Sequence, residues 1–179
     1  MIFRETKLAG AFILDVEPIA DVRGFFARSY CQDEFEERGL GFAIAQCNIS
    51  CNEKKGTLRG MHFQVAPHEE IKLVNCVRGS IFDVIVDLRP ASPSRGEWHG
   101  EILSEKNYRS VYVPKGFAHG FQSLEEATVV FYQISEFYHP ECAAGVRWDD
   151  PALGIRWPLE NPILSARDQR FESISWRQG

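Results

Sequence analysis

Two histidines sit where an imidazole, which exchanges protons near neutral pH, could meet a ligand. His62 lies in Gly56-Thr-Leu-Arg-Gly-Met-His-Phe-Gln64, three residues after Arg59, in a β-like context. His119 lies in Pro114-Lys-Gly-Phe-Ala-His-Gly-Phe121 and reads as a glycine-flanked residue just past a strand end. A lone histidine on a strand is more often structural than catalytic, and one at a loop edge can simply brace a turn. Tyr132, within Val-Val-Phe-Tyr-Gln, can be a core aromatic with a bonded hydroxyl. Lys72 can be a solvated edge lysine that discourages strand aggregation. Asp168, within Leu-Ser-Ala-Arg-Asp, can cap a turn. Taken singly, none of these residues identifies a reaction.

The elements that would position them are short strands. Residues 11–16, 25–30, 44–51, 58–64, 71–77, 81–88, 97–103, 109–113 and 128–135 are rich in β-branched and aromatic types and bounded by turn residues. One short helix fits 32–38, closed by Gly39. Strands at this spacing imply a sandwich or closed barrel. Period-two alternation puts Lys72 with Val74 and Cys76, and Val130 with Tyr132 and Ile134. It also puts Ile81, Asp83, Ile85 and Asp87 on one face. Each strand thus offers one or two polar groups among apolar neighbours, as a barrel with a ligand-bearing mouth requires. Regular alternation would send Arg59 and His62 to opposite faces, so a bulge or twist is expected at Gly60 if both serve one site. The tail from Ala143 onward reads as irregular and wrapped around the barrel.

Bulk properties narrow the function. The chain has 179 residues, 44% hydrophobic and 25% charged, which fits one soluble globular domain over 1–179. A net charge of −5 argues against a nucleic-acid partner. No apolar run approaches a membrane span, and the first residues lack a signal-peptide pattern, so a cytoplasmic location is expected. Five scattered cysteines without CxxC pairs or zinc spacing read as free thiols.

Read together, the segments resemble the dTDP-4-dehydrorhamnose 3,5-epimerase family. The match runs nearly end to end through Arg23-Gly-Phe-Phe26, Gln46-Cys-Asn48, Gly56 to Gln64, Lys72-Leu-Val, Asp83-Val-Ile-Val-Asp87, Val113 to Phe121, Tyr132, Tyr138-His-Pro140, Trp148-Asp-Asp-Pro151 and Leu164-Ser-Ala-Arg-Asp168. Many motifs in one order are far more specific than any one of them. The resemblance implies an all-β, cupin-like jelly-roll barrel with short peripheral helices. It implies epimerisation at C3, C5 or both of a nucleotide-linked 4-keto sugar, with no cofactor and no metal. In that reading His62 is the base, Asp168 fixes its tautomer, Tyr132 is the acid on the other face, and Lys72 stabilises the enolate. Arg59 and His119 resemble residues around the sugar and diphosphate. Arg23 resembles a diphosphate ligand reaching across a homodimer through exchanged N-terminal strands. Phe26 and Tyr138 resemble the pair that sandwiches the base, with Gln46 and Asn48 on the nucleotide side. The chain departs from the family pattern at Arg28, where an acidic residue is usual, at Cys47 and at Arg167.

Two other classes compete. Pro114-x-Gly-x-x-His119 resembles the second motif of metal-dependent cupins. The first motif, however, reads His62-Phe-Gln64, a ligand short, and His68, Glu69 and Glu70 follow at the wrong spacing. A non-catalytic sugar-nucleotide binding module is the other, since fold does not fix function.

Overall fold

A computed structural model describes residues 1–174. Two antiparallel sheets face one another. The first has β1 (Ile2–Glu5), β2 (Phe12–Asp15), β5 (Gln46–Asn52), β7 (Lys72–Arg78), β10 (Ser110–Val113) and β12 (Thr128–Ile134) in the order β1-β2-β10-β7-β12-β5. The second has β6 (Leu58–Gln64), β8 (Ser80–Asp87), β9 (Trp98–Ser104), β11 (Phe117–Ser123) and β13 (Ala143–Gly145) in the order β13-β6-β11-β8-β9. A separate hairpin pairs β3 (Ile19–Asp21) with β4 (Gly24–Phe26). This is the cupin-like jelly roll expected.

The inner core explains why the sheets face each other. Ile13, Val74, Cys76, Val111, Val113 and Val130 of the first sheet meet Ile81, Ile85, Leu103, Phe117 and Phe121 of the second. Fully burying one such side chain is worth about 1.5–3 kcal/mol, so the alternating pattern fixes which edge of each strand turns inward. The outer faces are covered separately. Leu14, Leu73 and Tyr112 pack against Phe35, Leu40 and Phe42 around α1 (Gln32–Glu36). Five residues cannot hold a helix unaided; the fully buried Phe35 anchors it. The helix ends two residues before the expected boundary, and Gly39, at φ +68°, closes the turn as expected. The tail covers the other sheet through Val146, Leu153 and Trp157. No helix among the described residues is long and apolar enough to cross a membrane.

Two expectations are corrected. His119 is not past a strand end: it lies in the middle of β11, paired with Ile85 on one side and His62 on the other. Residues 25–30 are not one strand, since pairing stops at Phe26.

The expected irregularity at Gly60 is present. His119 pairs with His62 and Phe121 with Arg59, so Gly120 alone spans Gly60 and Met61. The extra residue lets Arg59 and His62 both face inward while Met61 packs outward. Gly60 sits at φ +139°, and a Cβ on it would lie 2.6 Å from Gly120 Cα. A Cβ on Gly120 would lie 2.7 Å from Met61 Sδ and 2.8 Å from the Arg59 carbonyl. Gly120→Ala is therefore expected to cost roughly 1–3 kcal/mol through overpacking. A denaturation midpoint equal to wild type would contradict this close packing.

Candidate active site

One mouth of the barrel is polar. A cavity of about 430 Å³ is lined by Gln46, Asn48, His62, Lys72, Tyr132 and Tyr138 among others. A second, of about 320 Å³, is lined by Arg59, His62, Lys72, His119, Phe121 and Tyr132 among others. The two share His62, Lys72 and Tyr132, so these side chains stand at the junction of an inner and an outer chamber. His62 comes from β6 of one sheet, and Lys72 and Tyr132 come from β7 and β12 of the facing one. An imidazole and a phenol therefore approach the same space from opposite walls.

His62 Nε2 lies 2.7 Å from Asp168 Oδ1. The Asp168 side chain is 5% exposed and that of His62 37%. Burial alone pushes the Asp168 carboxyl upward. The His62 hydrogen bond and charge, with the Gly60 backbone and the Ser165 hydroxyl, outweigh it and hold the carboxyl below its ordinary value. An ionised carboxylate only accepts, so Nε2 carries the proton and donates to Asp168. Nδ1 is then the lone-pair nitrogen, and it makes no hydrogen bond among the described residues. Asp168 opens a one-turn 3-10 helix (Asp168–Arg170) in the tail, and Phe171 packs edge-on against the His62 ring at 5.7 Å.

Lys72 is not an exposed edge lysine. Its strand is central in the sheet, its side chain is 11% exposed, and Nζ lies 2.9 Å from Glu70 Oε1. The other Glu70 oxygen accepts the Gln64 backbone N–H at 3.1 Å. Glu70 thus holds the ammonium in place at the cavity wall. Burial pushes the Tyr132 hydroxyl upward, partly opposed by the Arg59 charge, so the phenol is protonated at neutral pH. It has no hydrogen-bond partner among the described residues. Arg59 is aimed by its Nε–H donating to Asn52 Oδ1 at 2.8 Å. His119 Nε2 lies 2.8 Å from Asp83 Oδ2, forming a second buried histidine–aspartate pair.

Sequence reasoning missed Glu70 and Asp83 as site residues. Asp83 had a signal: an acid on a face otherwise shared with Ile81 and Ile85 needs a buried partner. Glu70 had none beyond its distance of two from Lys72. Of the candidates, Gln46, Asn48, Arg59, His62, Lys72, His119, Tyr132 and Tyr138 line the two chambers, with Asp168 behind His62. Arg23, Phe26 and Arg28 do not line either chamber within one chain. Arg23 pairs with Asp21 on the exposed hairpin, Phe26 is 72% exposed, and Arg28 pairs with Glu34 at 2.9 Å.

A jelly-roll barrel whose polar mouth holds an oriented imidazole opposite a protonated phenol, with an ammonium beside them, defines a cupin-like isomerase. The family model described as dTDP-4-dehydrorhamnose 3,5-epimerase matches residues 5–175. The enzyme of that name from Methanothermobacter thermautotrophicus is 43% identical over 175 residues, covering 96% of this chain and 94% of that one. A crystal structure of the Bacillus anthracis enzyme, with TDP and PPi bound, has a TM-score of 0.94 at 42% identity, covering 97% and 99% of the two chains. That of a dTDP-6-deoxy-D-glucose-3,5-epimerase from Legionella pneumophila, in complex with dTDP-4-keto-L-rhamnose, has a TM-score of 0.90 at 38% identity, covering 96% and 92%. This chain belongs to the dTDP-4-dehydrorhamnose 3,5-epimerase family.

Proposed function

We propose that the chain epimerises a dTDP-linked 4-keto-6-deoxyhexose at C3, C5 or both. The observation that carries this is the placement of His62 and Tyr132 on facing walls of one cavity. A C4 ketone acidifies the protons on C3 and C5 because the carbanion is an enolate. Inversion needs a base on one ring face and an acid on the other. His62 Nδ1, freed by the Asp168 bond, is the base. The protonated, unpaired Tyr132 hydroxyl is the acid. The Lys72 ammonium, held by Glu70, stabilises the enolate oxygen, an interaction of the oxyanion type. Arg59 and His119 in the inner chamber bind the polar parts of the substrate. Gln46, Asn48 and Tyr138 in the outer chamber face the nucleotide.

These residues supply base, acid and stabiliser themselves, and Gln64, in the place of a second metal-ligating histidine, spends its amide on the backbone of residues 68, 137 and 139. Incubation with dTDP-4-keto-6-deoxyglucose in D₂O is expected to place deuterium at C3, C5 or both, with full turnover after exhaustive chelation. No solvent exchange at either carbon would leave a binding module. Activity lost on chelation and restored only by a divalent ion would indicate a metal cupin.

The functional unit in this reading is a homodimer with exchanged N-terminal strands. Ile19, Val22, Phe25 and Phe26 are exposed along the β3–β4 hairpin, and Arg23 at its tip supplies the cation that a diphosphate in a partner's site would need. Arg28 follows on the same arm. Size measurement in solution is expected to give a dimer, and Arg23→Ala to raise KM with the dimer intact. A fully active monomer would refute the exchange.

A further inference from the structure

One cluster of metal-ligating side chains, which touches the outer chamber only through Glu136, is not used by the proposed chemistry. It joins the segment after β6 to the segment after β12. His68 Nδ1 lies 3.7 Å from Glu136 Oε2, and His139 Nε2 lies 3.9 Å from Glu136 Oε1. One ligand atom from each of the three residues lies within 4.8 Å of the others, and Glu141 and Cys142 group around His68 in the same way. His68 Nδ1 is buried and has no hydrogen-bond partner among the described residues. A buried nitrogen left unpaired costs free energy, and a bound cation would remove that cost.

We propose that His68, Glu136 and His139 form a zinc site at the rim of the outer chamber. Two imidazoles and a carboxylate are the donor set of an open, three-ligand zinc site, with water in the fourth position. Bond lengths of about 2.0–2.2 Å put neighbouring ligands of a tetrahedral ion about 3.3–3.5 Å apart. Each imidazole nitrogen lies within a few tenths of an ångström of that spacing from a Glu136 oxygen, His68 Nδ1 from Oε2 and His139 Nε2 from Oε1. The His68 and His139 rings are stacked, with centroids 3.4 Å apart and planes 12° from parallel. Two nearly parallel rings do not aim their lone pairs at one point between them, so capture requires one ring to turn. His139 is the ring that turns, giving up a 3.2 Å contact between Nδ1 and the exposed Glu141.

The backbone around the cluster is already fixed. Gln64 Nε2 donates to the carbonyls of His68 and Phe137, at 2.9 and 3.1 Å, and Gln64 Oε1 accepts from the His139 N–H at 2.7 Å. One amide thus holds both ligand-bearing segments, which limits the ordering that the ion must impose. The zinc site is independent of the epimerase reading and supplies no step of it. Its physical role is to cross-link two loops, and an ion that binds only the folded chain stabilises it by mass action.

The test is calorimetric titration of Zn²⁺ into the chelator-stripped full chain. Wild type is expected to take up one ion per chain in a saturable step and to gain thermal stability on doing so. His68→Ala and His139→Ala are each expected to weaken uptake by roughly tenfold or more, and the double variant to lose both uptake and the rise in Tm. A wild-type circular-dichroism spectrum and a cooperative thermal transition in the variants show that they are folded. Absence of saturable uptake by wild type overturns the proposal, as does uptake that survives in the folded double variant.

Discussion

His62→Ala is expected to abolish deuterium exchange at both C3 and C5. Removing the imidazole takes away the carboxylate-backed side chain that lines both cavities and faces Tyr132 from the opposite sheet. His119 forms the same kind of pair with Asp83, but its side chain is 9% exposed against 37% for His62 and it lines only one of the two cavities, so it is not expected to take over. Asp168→Asn separates position from electrostatics. The amide keeps the shape, but it can donate to Nε2 as well as accept, which admits the wrong tautomer and withdraws the charge that favours imidazolium. A loss in kcat of roughly 10²-fold or more is expected, with the fold retained. The measurement is exchange into substrate followed by NMR. Near-normal exchange in His62→Ala would sink the mechanism.

Tyr132→Phe is expected to uncouple the two halves of the reaction. The base remains, so protons still leave and solvent deuterium still enters from the His62 side. The acid is gone, so return from the opposite face fails. Deuterium wash-in is therefore expected to outrun inversion in the variant by a larger ratio than in wild type. The comparison uses one sample and two readouts, isotope content and stereochemistry, so a general loss of activity would not imitate it. Net epimerisation unchanged in Tyr132→Phe would pass the role of acid to another group, with Tyr138 or water the next candidates.

The inward faces of the barrel were legible in the sequence because alternation with period two has a physical cause: an inner core filled almost wholly by Ile, Val, Leu and Phe, with Cys76 and Ala11 among them. Lys72, Val74 and Cys76 share a face as expected, as do Ile81, Asp83 and Ile85. Even the bulge at Gly60 followed from the conflict between parity and a shared role for Arg59 and His62. What failed was glycine read as punctuation. Gly120 suggested a strand end beside His119, yet it is in mid-strand because Gly60 of β6 approaches too closely for a side chain. β1, β3 and β13 were missed because four or three residues are too few to show a period. Glu70 was invisible as Lys72's partner because their contact depends on how the chain turns into β7.

Asp168 reaches His62 across 106 positions of sequence. Every strand of the two sheets lies within residues 2–145, while the carboxylate that orients the imidazole comes from the tail, which packs on the outer wall through Val146, Leu153 and Trp157. The barrel and the carboxylate that orients its basic nitrogen thus come from separate stretches of the chain. A chain shortened after residue 145 would keep every strand of the two sheets and lose the carboxylate that fixes the proton on His62.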